Sequence, residues 1–99
     1  MKKAQSAAQD MQLPEVLDMT FAGPLAENLL AKRGAQLTVD ASGVQRVGAQ
    51  CVQVLMSAVS TWKADEVAFS ITNPSPEFRD ALSLLGVGLS EIMIEEAQP

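Results

Sequence analysis

Val39-Asp40-Ala41-Ser42-Gly43-Val44-Gln45-Arg46-Val47-Gly48-Ala49-Gln50-Cys51 is the stretch whose reading decides the fold. Leu37, Val39 and Ala41 alternate with Gln36, Thr38 and Asp40, the period of a strand with one buried face, so a strand is predicted over 35–41. Ser42 to Gly48 reads as a loop. From Ala49 the period changes. Apolar residues at 51, 52, 54, 55, 58, 59 and 62 share one side of a helix predicted over 49–63, and Gln50, Gln53, Ser57 and Ser60 fall opposite.

Upstream, residues 1–10 are small and polar without periodicity and read as a flexible tail that can add an edge strand, leaving 11–99 as the domain. Leu13 to Met19 has strand-like apolar positions at 13, 16, 17 and 19, with Pro14 suited to a strand start or an edge. Thr20 is the predicted N-cap of a helix beginning at Phe21, with apolar positions 22, 25, 26, 29 and 30. Pro24 is tolerated if it lies in the first turn. Lys32 and Arg33 suit the negative end of the helix, and Gly34 stops it.

Downstream, a strand is predicted over 66–72 with Val67, Phe69 and Ile71 on one face. Ser75 is the expected cap of a third helix and Pro76 its first residue, with Phe78, Ala81, Leu82 and Leu85 inward and Gly86 ending it. Residues 87–96, with Leu89, Ile92 and Met93, fit either a short helix or an added strand. Strands alternating with helices predict an α/β domain, its mixed, mostly parallel sheet of about four strands carrying three to four helices.

The stretch from Val39 to Cys51 resembles the signature of the STAS family (sulfate transporter and anti-sigma factor antagonist domains), D-x-S-x-V-x-x-x-D-S/T-S/T-G. Asp40, Ser42 and Val44 match its first half. Where the family carries a phosphorylatable Ser or Thr at the helix start, this chain has Gly48-Ala49-Gln50-Cys51, a degenerate phosphosite without a hydroxyl. Asn73 to Gly86 is similar to the family's following loop and third helix, and the resemblance covers about 13–94. Within the family, the chain is similar to small degenerate members encoded beside α-proteobacterial chemotaxis genes. The resemblance implies a non-enzymatic interaction domain whose partner is a chemotaxis histidine kinase or related ATPase. The alternatives are an anti-anti-sigma factor, which needs a phosphosite, and the small STAS subunit of a lipid-transport ATP-binding cassette complex.

Composition sets the boundaries of that reading. The 99 residues make one domain at most, and 47% hydrophobic content supplies one modest core. Seven Lys and Arg against twelve Asp and Glu give a net charge of −5, which argues against nucleic acid. One cysteine excludes an internal disulfide and fits a reducing, cytoplasmic setting; no apolar run approaches a membrane span. With no His, the usual general base near neutral pH is absent, and one Cys with scattered carboxylates makes no metal site. No catalytic residue, metal or cofactor is expected.

The expected partner-binding surface is Ser42, Gln45, Arg46, Gln50, Gln53 and Ser57, with Arg46 as the charged anchor. Two roles compete for Asp40 and Ser42. They can bond backbone N–H groups and shape the turn, or face a partner at the carboxyl end of the strand. Gln50 is either an exposed first-turn residue or a contact. Cys51 reads as a small core residue, Trp62 as core with its N–H satisfied, and Asp65-Glu66 as a charged turn. Glu91, Glu95 and Glu96 form a solvated acidic end.

Overall fold

The computed structural model describes residues 9–88, together with the backbone of Ile94 and Glu95. In chain order the elements are β1 (Gln9–Gln12), β2 (Val16–Leu17), α1 (Met19–Ala31), β3 (Leu37–Asp40), β4 (Arg46–Val47), α2 (Ala49–Ala64), β5 (Phe69–Thr72), α3 (Pro76–Leu84) and β6 (Ile94–Glu95). The main sheet has the order β1-β3-β5-β6, and β2 pairs with β4 in a second small ladder. Every pairing among the described residues is parallel. The α/β class, the three helices and the four-stranded parallel sheet match the expectation. Gln9 and Asp10, in the segment expected as a tail able to add an edge strand, stand in β1 at the edge of the sheet, and residues 1–8 lie outside the described part.

Leu37, Val39, Phe69 and Ile71 share one face of the sheet and are buried, joined by Leu25, Leu29, Val52, Leu55, Trp62, Phe78 and Leu82. The register sets Asp10 beside Thr38 and Ser70, and Gln12 beside Asp40 and Thr72, on the opposite, polar face. Parallel sheets usually bury both faces and read as continuous apolar runs. Here β3 and β5 alternate instead, with buried and half-buried positions in turn.

Several boundaries differ from the sequence reading, each for a local reason. Asp18, not Thr20, caps α1. Its Oδ1 accepts from the Thr20 N–H at 3.1 Å and from the Thr20 hydroxyl at 2.6 Å. Starting the helix at Met19 puts Pro24 in the second turn, inside the helix. Of 13–19, only Val16 and Leu17 form strand, while Leu13 is buried beyond the end of β1. Arg46 and Val47, read as loop, add to that ladder. Leu85 is exposed rather than inward.

The ends of α2 and α3 share one geometry. At α3, the Val87 N–H donates to the Leu82 carbonyl (2.9 Å) and the Gly86 N–H to Ser83 (3.1 Å), with Gly86 at φ +76°. At α2, Val67 donates to Trp62 and Glu66 to Lys63, both at 3.0 Å, but the left-handed position holds Glu66 at φ 59°. Both are Schellman closures, and only one has the glycine that this conformation favours. The turn is more than charged, because Asp65 also holds Arg33 by paired hydrogen bonds of 2.8 and 3.0 Å, joining the ends of α1 and α2.

Trp62 packs on the sheet as expected. Its indole N–H donates to the Ala35 carbonyl at 2.8 Å, and its ring lies 5.4 Å from that of Phe69. Of the segment 87–96, Ile94 and Glu95 form an added strand beside β5; Leu89, Ile92, Met93, Glu91 and Glu96 lie outside the described residues. No helix among the described residues is long and apolar enough to cross a membrane.

Candidate docking surface

The loop from Ser42 to Gly48 is fixed from three sides. At its start, the Asp40 Oδ1 accepts from the Ser42 N–H at 2.9 Å, closing an Asx turn. In its middle, the Gln45 and Arg46 N–H groups donate to the Glu15 carbonyl at 2.7 and 3.1 Å. Beneath it, the buried Ser75 hydroxyl donates to the Val44 carbonyl at 2.6 Å while accepting from the Phe78 N–H at 3.1 Å. One side chain thus caps α3 and anchors the loop, with Val44 itself in the core. The Ser75 N–H adds a 3.2 Å bond to the Ala41 carbonyl.

Gly48 is the N-cap of α2 and supplies no side-chain cap. Its N–H donates to the Leu17 carbonyl at 2.7 Å, and a Cβ there would stand 3.4 Å from that same oxygen. That is ordinary contact distance, and the backbone of Gly48 is extended, so a small side chain fits here. Ala49 and Gln50 are exposed in the first turn; Cys51 points inward, its thiol directed at the Asp18 carbonyl 3.3 Å away. Burial and, secondarily, the Asp18 charge push the Cys51 thiol up from its ordinary pKa, opposite to what a nucleophile needs. The Asp18 carboxyl is held below its ordinary value, first by the Thr20 hydroxyl and further by backbone N–H groups.

Ser42, Gln45, Arg46, Gln50, Gln53 and Ser57 are all exposed. The first three belong to the loop and the other three run down the outer side of α2. Ser42 is bonded through its backbone N–H, and its hydroxyl has no protein partner among the described residues. Asp40 fulfils the turn-shaping role.

Two contributions escaped the sequence reading. One is Ser75 as the loop's anchor. The sequence signals its cap, through Pro76 after it, but gives no sign of a bond across 31 positions to Val44. The other is α1. Gly48–Leu17 and Cys51–Asp18 contacts join the starts of α1 and α2, and Arg33–Asp65 joins their ends, so the helices run parallel. Met19, 68% exposed, and Leu30, 62% exposed, stand on the outside of α1. Their spacing of eleven places them on one helical face, a signal available in the sequence.

No group of three or more His, Cys, Asp or Glu able to hold a metal occurs among the described residues.

A protein-family model described as "Mlab, STAS domain" matches residues 1–95. No curated protein matches the sequence. Among solved structures, the crystal structure of a candidate anti-sigma factor antagonist from Thermotoga maritima superposes with a TM-score of 0.71 at 16% identity, over 89% of this chain and 78% of that one. At that identity the likeness bears on the fold, and the family model covers nearly the whole sequence. The chain belongs to the STAS domain family.

Proposed function

We propose that this chain is a non-enzymatic docking domain that binds a histidine-kinase-type ATPase, in a chemotaxis signalling system, and biases its activity without being phosphorylated at the start of α2. The observation that carries this reading is the contrast at the loop. Asx turn, Glu15 bonds and Ser75 anchor hold the surface in one shape, while Ala49 and Gln50 stand exposed where the family pattern has its acceptor hydroxyl. Gln50 is neutral and cannot supply the charge of about −2 that a phosphoserine brings. Docking therefore uses fixed shape and neutral polar groups, which lose less on desolvation than charges do. Arg46 is the charged contact. The buried, unactivated Cys51 and the lack of any His leave no nucleophile–base pair, in keeping with a binding role.

Calorimetric titration of the intact chain against a purified chemotaxis histidine kinase tests the reading. Arg46→Glu and Gln53→Glu are expected to weaken binding with thermal stability nearly unchanged, since both residues are exposed. Parallel titrations against an anti-sigma kinase and the ATPase subunit of a lipid-transport complex separate the family's other partner classes. Binding to either of these, with none to the chemotaxis kinase, overturns the assignment.

A further inference from the structure

We propose that the free edge of β1 takes up one extended strand of a partner protein, a strand in which Lys or Arg alternates with apolar residues. The inference goes beyond the docking reading. It uses the edge and the outer face of the main sheet, none of whose residues belongs to the loop and α2 surface.

Backbone bonds define the edge. β1 stands last in the order β1-β3-β5-β6. The Gln9 N–H donates to the Gln36 carbonyl at 3.1 Å and the Leu13 N–H to the Asp40 carbonyl at 3.0 Å, both toward β3. In a parallel ladder such bonds come from alternate residues. Met11 therefore also turns to β3, and the N–H and carbonyl groups of Asp10 and Gln12 turn outward. No described element pairs with that side of β1, and both residues are exposed. An added strand satisfies those groups, which is how a sheet edge takes up an extended peptide.

The side chains beside that edge choose the occupant. On the outer face one row runs from Asp10 to Thr38 and Ser70, and the next from Gln12 to Asp40 and Thr72. A depression of ≈ 510 Å3 lies there, with Asp10, Gln12, Thr38, Asp40, Thr72 and Asn73 around it. Asp10 and Asp40 bring two carboxylates, and β1, β3 and β5 carry no Lys or Arg to meet them. Asp40 accepts from the Ser42 N–H with one oxygen, and its other oxygen has no partner among the described residues. Helices α1, α2 and α3 all bury residues in the core on the opposite face. A strand laid along β1 points alternate side chains onto the outer face. A Lys or Arg there stands one strand from Asp10, ~4.8 Å, and two from Asp40, about 10 Å, the second within reach of a long basic side chain. The intervening residues fall on the inner face beside Met11, which is half-buried against the core, so apolar side chains suit them. A second copy of β1 matches the edge poorly, because it brings another Asp10 and no cation onto the same face, in a chain of net charge −5.

The test uses the intact chain and two synthetic peptides of about seven residues, the length of an ordinary strand. One alternates Lys and Val; the other has the same composition with its lysines consecutive. The alternating peptide is expected to protect the Asp10 and Gln12 amides from hydrogen exchange and to bind at least about tenfold more tightly than the other. Gln12→Pro removes an outward N–H and leaves the bonds to β3 in place, as a proline on an open edge does. Asp10→Lys reverses the charge at an exposed position. Each should weaken binding by a similar factor with the melting temperature little changed. Asp80→Lys, the same change of charge at an exposed site on α3, should not weaken it. Equal binding of the two peptides, an equal loss with Asp80→Lys, indifference to Asp10→Lys or Gln12→Pro, or unprotected Asp10 and Gln12 amides overturns the proposal. So does protection of those amides in the chain alone. Protection independent of concentration would give the edge to residues 1–8, and protection that rises with concentration would give it to a second copy. None of these measurements involves the kinase, so docking at the loop and strand addition at β1 stand or fall separately.

Discussion

Replacing Ser75 by alanine removes two bonds that serve different parts of the molecule. The first is the cap of α3, where the hydroxyl accepts from the Phe78 N–H; losing a Ser cap costs about 1 kcal/mol. The second is the 2.6 Å bond to the Val44 carbonyl. Val44 is 1% exposed, so its oxygen is left without that partner away from water, at about 1–3 kcal/mol. Together the loss is about 2–4 kcal/mol, a large part of the ~5–15 kcal/mol of a small domain. Urea denaturation of Ser75→Ala measures it, and amide exchange localises it. Amides of Val44, Gln45 and Arg46 should exchange faster, along with those of the first turn of α3. Ser75→Asp separates the two roles, because a carboxylate still accepts from Phe78 but cannot donate to Val44. It should be no more stable than the alanine variant. A loss below about 0.5 kcal/mol for the alanine, a full rescue by aspartate, or unaltered exchange in the loop would each refute the idea that Ser75 ties the loop to α3.

Four further outcomes are expected. Leu55→Ala, in the fully buried face of α2, should lower the unfolding free energy by about 2–5 kcal/mol in denaturant titration. Glu66→Gly relieves a left-handed non-glycine residue and should raise stability by roughly 1 kcal/mol, less the entropy that glycine loses on folding. The Asp65 carboxyl is depressed below 3.8, first by its hydrogen bond to Arg33, so its stabilisation is present above that value and vanishes as pH falls through the lower folded value. Acid melts of Asp65→Asn should show a shallower decline than the parent below about pH 4. Incubation with an anti-sigma serine kinase and intact-mass analysis should give no added phosphate; one on the Ser42 hydroxyl would restore the switch.

What the sequence disclosed follows from where the fold is governed locally. The period of two in 35–41 and of 3.6 in 49–63 placed β3 and α2 because one face of each is buried and the other is not. Ser75-Pro76 placed the start of α3 because cap and first-turn chemistry are confined to adjacent residues. β1 was nearly invisible: Gln9-Asp10-Met11-Gln12 has one apolar residue, and it is a strand because it lies in register with Leu37 to Asp40, a non-local fact. The start of α1 was misplaced by two residues because Asp18 and Thr20 are both good caps, and only backbone geometry chooses. At the site, the missing hydroxyl was legible residue by residue. The anchoring of the loop by Ser75 was not, since it joins segments 31 positions apart.

At the start of α2 the chain lacks the acceptor hydroxyl but keeps the helix end that would receive a phosphoryl group. Free N–H groups at a helix start attract an anion, and a phosphoryl group there would draw on that attraction. In this chain Asp18 is close enough for its charge to raise the Cys51 thiol, and the Thr20 hydroxyl and nearby N–H groups keep that carboxyl ionised. A Ser or Thr at Ala49 or Gln50 would meet no steric bar, since both side chains are exposed. Restoring an acceptor thus takes one change, a hydroxyl gained at Ala49 or Gln50. On the docking reading proposed above, a domain without that hydroxyl presents one surface at all times, and control of its complex then falls to the partner's state or to the amount of the chain.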